Sequence, residues 1–171
     1  HFRTVEIAFS IDDIGPRFEY QRSNAVWAEV CENLDRFRNL KEQCPNIVLQ
    51  ICTTVNVFNV RYLDQVAEWI DRNQSSFNFV YWNMMHDAWY FSVGCLPDTA
   101  KTVIAEHLRT AQIPAQFRAE FDRIIDFMNQ GTSQDGSQLR REIARLDQRR
   151  DQNLADTEPE LAELIHYDRP Q

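Results

Sequence analysis

The chain has 171 residues, 43% of them apolar and 26% charged, which is ordinary for one folded domain with a genuine core. Its net charge of −8 at pH 7 disfavours a nucleic-acid partner, because such binding depends on clustered positive charge. A membrane span needs about 18 consecutive apolar residues, and the sequence contains no such run. The four glycines form neither a P-loop nor a G-x-G-x-x-G turn. We expect a cytoplasmic protein with neither a nucleic acid nor a membrane as partner.

Patterns typical of strands and of helices alternate three times in residues 1–112. The strand patterns, rich in apolar and β-branched residues, occupy residues 5–11, 46–55 and 77–81. The helix patterns, with apolar residues every three or four positions, occupy residues 24–40, 63–70 and 100–108. Residues 12–16 indicate a turn, and Ser23 or Asn24 is expected to cap the first helix. This alternation predicts an α/β fold with a three-stranded parallel sheet and right-handed crossovers.

Residues 113–171 carry helix patterns without further strand patterns, so we expect a C-terminal helical extension that packs on the α/β part. These patterns occupy residues 117–128 and 139–146, and a short helix is expected from Pro159. The second pattern is crowded with basic residues, namely Arg140, Arg141, Arg145, Arg149 and Arg150. They alternate with Glu142, Asp147 and Asp151, which favours a solvated helix face over a phosphate site.

The three predicted strands look buried on both faces, yet such a small sheet leaves two unpaired edges. Exposed strand edges are a hazard that folds normally cover. We therefore expect a missing partner, either an N-terminal half or a second copy of the chain.

The four cysteines, Cys31, Cys44, Cys52 and Cys95, show neither a C-x-x-C pair nor a zinc-ribbon spacing. Three of them lie in apolar segments, which favours free buried thiols in a reducing cytoplasm over disulfides. His86 beside Asp87 is a weak metal signal in an aromatic segment, and structural packing is the favoured interpretation. No metal site is therefore predicted.

Polar residues at the carboxyl ends of parallel strands form the sites of many α/β folds. This rule selects a group around the three strand ends: Ser10, Asp12, Thr53, Thr54, Asn56, Asn83, His86 and Asp87. Arg22 lies in the first loop between strand and helix. For any single Ser, Thr or Asn, a helix cap or turn bond is the favoured alternative, but their coincidence at one rim favours a site.

At these residues the sequence resembles the radical S-adenosylmethionine enzymes. Residues 7–15 resemble the S-x-D-g segment of the family's fourth strand. Further segments are similar to the branch that contains a twitch domain, namely residues 19–22, Trp27, Asn33, Leu34, 53–60, 90–97, 146–150 and 159–161.

The resemblance implies a half-barrel made of strands four to six of a partial (β/α)6 barrel, followed by C-terminal helices. It also implies that S-adenosylmethionine is bound against a 4Fe–4S iron–sulfur cluster and cleaved to a 5′-deoxyadenosyl radical. The cofactor-binding residues it implies are Ser10, Asp12, Arg22, Thr54 and Asn56. Ser10 and Arg22 would contact the methionine moiety or the ribose.

The chain departs from the family because the C-x-x-x-C-x-x-C cluster loop and the glycine-rich second-strand motif are absent. We therefore expect a C-terminal fragment of a radical S-adenosylmethionine enzyme core, which contributes part of the cleft but binds no cofactor and is inactive alone. The alternative is a non-catalytic half-barrel interaction module that self-associates. The substrate is not predicted, and neither are catalytic residues.

Overall fold

The computed structural model describes residues 2–168 and has an α/β architecture. Its strands are β1 (Val5–Ser10), β2 (Ile47–Val55) and β3 (Phe79–Met84). They form one parallel sheet in the order β1–β2–β3, with Ser10 beside Cys52 and Thr54 beside Asn83. The prediction of an α/β chain with a three-stranded parallel sheet is confirmed.

The helices surround this sheet and continue beyond it. They are α1 (Gly15–Gln21), α2 (Trp27–Gln43), α3 (Leu63–Arg72), α4 (Asp98–Thr110), α5 (Arg118–Gln130), α6 (Ser137–Arg150), α7 (Leu154–Thr157) and α8 (Pro159–Leu164). The helices predicted at residues 63–70, 100–108, 117–128 and 139–146 correspond to α3, α4, α5 and α6, and α8 begins at Pro159 as expected. Within residues 2–168 every helix is too short or too polar to cross a membrane.

Helix α1 lies in a region where the sequence predicted only a turn, at residues 12–16, and a loop. Its buried side chains, Phe18 and Tyr20, are two residues apart, so they do not show the helical spacing of three or four. Gly15 begins the helix with a left-handed φ of 58°, and Pro16 stands in its first turn.

The predicted cap of α2 by Ser23 or Asn24 is wrong. The N-cap residue is Val26, and Asn24 has a positive φ of 63°. The first amide of the helix is satisfied from a distance, because Trp27 N donates to Glu19 Oε1 at 2.7 Å. A carboxylate from α1 thus replaces the local cap.

Strand β3 begins two residues later and ends three residues later than predicted. Phe77 N donates to Gln74 O in a 3₁₀ turn, and the Phe77 side chain is buried against Phe9. Pairing along β2 starts with Asn78, whose backbone N donates to Leu49 O at 2.7 Å and whose Oδ1 accepts from Leu49 N at 3.1 Å.

Among residues 2–168, helices cover one face of the sheet and leave the other uncovered. Leu49 and Ile51 of β2 are fully buried on the covered face. The opposite face, called the open face below, carries the alternate residues of the three strands: Glu6, Ala8, Ser10, Val48, Gln50, Cys52, Thr54, Phe79, Tyr81 and Asn83. On this face Phe79 is 52% and Tyr81 46% exposed. The expectation that the strands are buried on both faces is therefore wrong for β1 and β3.

The sequential strand order explains this asymmetry. Right-handed crossovers between neighbouring parallel strands in the order β1–β2–β3 place the connecting helices on the same face. A single hydrophobic core covers that face, and it extends from Ile11 to Tyr167, so the C-terminal helices share the core of the α/β part.

Candidate functional site

The candidate site is the rim where the three strands end, and Asp12 connects its first two loops. Asp12 follows β1, and its Oδ1 accepts from Thr54 N at 2.8 Å. Its Oδ2 accepts two bonds from Arg22, from Nη2 at 2.6 Å and from Nε at 3.1 Å. The Arg22 side chain is 38% exposed and the Asp12 side chain 12%. This pair holds the loop after α1 against the end of β2.

Two asparagines shape the turn after β2. Asn56 Oδ1 accepts from Phe58 N at 2.8 Å, and Asn56 Nδ2 donates to Gln21 Oε1 and to Thr54 O, both at 3.1 Å. Asn59 is fully buried, and its Nδ2 donates to Asp12 O at 2.7 Å and to Thr54 O at 2.9 Å. The sequence analysis missed Asn59. The signal for it was the second asparagine of an N-x-x-N spacing directly after a strand.

The structure brings together four of the five predicted cofactor-binding residues: Asp12, Arg22, Thr54 and Asn56. Ser10 is exposed and lies on the open face, on the same side of the sheet as the Thr54 side chain.

Three other residues selected by the strand-end rule take different roles. Thr53 Oγ1 donates to Ile11 O at 2.7 Å, which is the turn bond considered as the alternative. Asn83 is exposed on the open face. The His86 ring packs edge-on against Phe127, with 5.4 Å between the ring centroids, as the packing interpretation expected.

A small cavity of about 190 Å³ opens at the rim. Its lining includes the polar or charged residues Asp12, Gln21, Asn56 and Arg150, and the other walls are Tyr20, Phe58, Met85, Phe91 and Leu146. Small-molecule pockets usually enclose roughly 300–1,000 Å³. The cavity therefore offers part of a ligand site, and helix α6 contributes one of its walls.

Asp13, next in sequence to Asp12, is fully buried and holds α1 in place. Its Oδ1 accepts from Ile14 N at 2.8 Å and from Arg17 Nε at 3.0 Å, and its Oδ2 accepts from Gln21 Nε2 at 3.2 Å. Burial raises the pKa of Asp13 to about 6, although the Arg17 guanidinium acts in the opposite direction.

The cysteines do not fit an iron–sulfur cluster. Such a cluster needs about three or four thiolates that converge on one point. All four thiols are free, but Cys31 lies on α2 and Cys52 on β2, and residues 2–168 contain no group of three or more potential metal ligands. Only Cys95 is buried and the others are half-buried, so the expectation of buried thiols holds for one of them. Burial raises the pKa of the Cys95 thiol to about 11.

Comparisons of the chain with models of protein families, with curated proteins and with solved structures found no match.

Proposed function

We propose that this chain is the C-terminal half of a radical S-adenosylmethionine enzyme core, and that its rim forms part of the cleft for S-adenosylmethionine. In this proposal the sheet supplies strands four to six of a partial (β/α)6 barrel. The proposal is supported by the sequence resemblance in residues 7–15, 19–22, 53–60 and 90–97, which lie at or after the ends of the three strands.

The observation that carries the half-barrel is the open face. Parallel sheets are almost always covered on both faces. In a barrel, the second face of each strand packs into the interior. Here that face exposes Phe79 and Tyr81, and the outer edges of β1 and β3 have no strand partner among the described residues. A further set of parallel strands would cover the face and both edges at once.

The rim residues have the chemistry that the methionine and ribose groups require. A guanidinium such as that of Arg22 binds a carboxylate bidentately, and a carboxylate or amide oxygen accepts bonds from ribose hydroxyls. Asp12 already fixes the direction of Arg22, so the guanidinium is preorganised and only partly exposed. The cavity is too small for a whole ligand, so the remaining contacts and the cluster ligands belong to the other half of the barrel.

The test is titration of S-adenosylmethionine into the chain, followed through its amide NMR signals. The sequence led us to expect no cofactor on the chain alone, but the rim cavity supports weak binding that shifts the amides of Thr54 and Asn56. Arg22→Ala removes a charge-assisted bond, which is worth about 1.5–3 kcal/mol. The affinity should therefore fall about tenfold to a hundredfold. The thermal midpoint should fall as well, because Arg22→Ala leaves the buried carboxylate of Asp12 without its ion-pair partner.

The matched control is Arg36→Ala, since Arg36 is an exposed arginine on α2 that pairs with Glu32. This variant should bind like the wild type. Absence of rim shifts in the wild type would overturn the proposal, and equal affinity of the wild type and Arg22→Ala would remove Arg22 from the site.

The open face also supports a second candidate function, in which a second copy of the chain supplies the missing strands. In this case the protein is a non-catalytic interaction module, and two half-barrels form a six-stranded barrel. Light scattering should then give the mass of a dimer. Tyr81→Glu, on the open face, should produce monomers, whereas Val103→Glu on exposed α4 surface should not. A monomeric wild type would rule this candidate out.

A further inference from the structure

Glu158 lies between α7 and α8 and is fully buried. Neither of its carboxylate oxygens has a hydrogen-bond partner among residues 2–168. An ionised carboxylate in such a place loses its hydration without compensation, which strongly disfavours the charged form. The burial of this side chain therefore depends on its protonation.

The groups that face Glu158 do not offset the cost of burying its charge, although the Arg17 guanidinium reduces that cost. They are Asp13, Arg17 and Tyr20, from the segment between β1 and the end of α1, and Tyr62, from the 3₁₀ turn before α3. Arg17 is the one cation among them, and its hydrogen bonds go elsewhere. Its Nε donates to Asp13 Oδ1 at 3.0 Å, its Nη2 donates to Gln65 Oε1 at 2.9 Å, and its guanidinium lies 4.4 Å from the Tyr62 ring centroid.

We propose that the buried carboxyl of Glu158, together with the nearby buried carboxyl of Asp13, makes the docking of α7 on α1 sensitive to pH, so that α7 is held at acidic pH and loosens as the pH rises. We call these two carboxyls, which share no hydrogen bond, the clasp. Helix α7 packs on α1, so the two carboxyls lie where the C-terminal helices meet the segment that follows β1. The clasp does not depend on which ligand the rim takes.

The direction of the effect follows from the two carboxyls. Burial raises the pKa of Asp13 to about 6 and the pKa of Glu158 well above its usual value. An ordinary Glu has a pKa of about 4.3, so the undocked segment ionises at lower pH than the docked one. The docked form binds more protons, and its stability is full below that ordinary value and is lost as the pH rises through the raised pKa values.

If α7 loosened, the effect would be transmitted to the rim cavity through the hydrogen bonds of Asp147 on α6. Asp147 is buried, and it accepts from Tyr20 Oη at 2.8 Å, from Tyr167 Oη at 2.8 Å and from Leu154 N at 3.0 Å. Tyr20 is a wall of the rim cavity, and its carbonyl accepts from Arg150 Nη1 at 2.8 Å. Through these bonds, loosening of the clasp would weaken the support of Tyr20, which forms one wall of the rim cavity.

The test is hydrogen exchange of the amides in residues 154–165, corrected for the intrinsic effect of pH, at about pH 5 and about pH 8. One unit of pKa difference corresponds to a tenfold change in the docking equilibrium. We expect wild-type protection to be well over tenfold lower at the higher pH, because both carboxyls contribute. In Glu158→Gln the change should fall to the part that Asp13 contributes, about tenfold or less, and in Asp13→Asn it should also be smaller than in the wild type.

Glu160→Gln is the matched control, because Glu160 is an exposed carboxylate of the same helix that pairs with Arg61. This variant should show the same pH-dependent change in amide protection as the wild type. His166 is exposed and is unchanged in every variant, so a difference between the variants reports on the substituted carboxyl. If the buried amide of Glu158→Gln prevents docking, Glu158→Met provides an apolar replacement of similar length. Wild-type protection that does not depend on pH, or an equal change in the Glu158 variants, would overturn the proposal.

Discussion

Asp147 lies on α6 in a run of arginines, and the sequence suggested that it would belong to a solvated face. The Glu142–Arg145 pair fits that picture, but Asp147 is buried and binds two tyrosine hydroxyls. Arg150 also departs from it, since it donates to the carbonyl of Tyr20. Single polar residues thus connect α6 to segments more than a hundred residues away in the chain.

Tyr20→Phe should lower the free energy of unfolding by about 1.5–3 kcal/mol, the usual worth of a hydrogen bond to a charged group. The variant keeps the ring in the core but removes the donor to Asp147. Urea denaturation monitored by circular dichroism measures the change. Tyr81→Phe is the control, because Tyr81 is 46% exposed on the open face. Equal stability of Tyr20→Phe and the wild type would mean that the Tyr20 hydroxyl contributes nothing to the docking of α6.

Helix α5 ends at a close backbone approach between the α/β part and the C-terminal helices. Gly131, its C-cap, lies against Gly94 in the 3₁₀ turn before α4, and a Cβ atom on Gly131 would stand within van der Waals overlap of the Gly94 backbone, 2.8 Å from its carbonyl oxygen. The Gly131 carbonyl also accepts from the buried Lys101 Nζ at 2.8 Å. Glycine is needed here for close approach of two segments.

Gly131→Ala should therefore destabilise the protein by about 1–3 kcal/mol or more, as overpacking does in a closely packed interior. The neighbouring variant Gln130→Ala changes an exposed position at the same helix end and should have little effect. Thermal unfolding of both variants measures the difference. A Gly131→Ala protein as stable as Gln130→Ala would show that the two segments can separate at no cost.

At the scale of the whole molecule, the described residues form a two-layered α/β unit, in which helices cover one face of the sheet and leave the other face open. Its cysteines are distributed over α2, β2 and the segment before α4. The 171-residue chain alone is thus expected to lack both a closed barrel and a cluster site.

Anaerobic reconstitution of the chain with iron and sulfide should leave only background iron after desalting, because three or four convergent thiolates are required. The chain should then also fail to cleave S-adenosylmethionine. Iron and sulfide assays measure the first outcome, and a Cys95→Ser variant should show the same background. Stoichiometric iron with broad visible absorption would contradict the prediction.

Elements whose apolar residues recur at regular spacing could be predicted from the sequence. Element ends that are fixed by contacts with distant residues could not. Helix α3 follows directly from Leu63, Val66, Ala67 and Ile70, since helical periodicity is a local property. The start of α2 depends on Glu19 of another helix, and the start of pairing in β3 depends on Asn78 meeting Leu49. Neither Glu19 nor Leu49 lies within the local sequence pattern of the element whose start it determines.

The same division holds for the rim. By itself the sequence determined that Asp12 and Asn56 follow strands and that Thr54 lies near the end of one, and parallel strands place their carboxyl ends at one edge of a sheet. Only the tertiary structure decided that Asp12 binds Arg22, that Asp147 and Glu158 are buried, and that one face of the sheet is open. The physical reason is that periodicity depends on neighbouring residues, whereas burial and the pairing of charges depend on which distant segments come together.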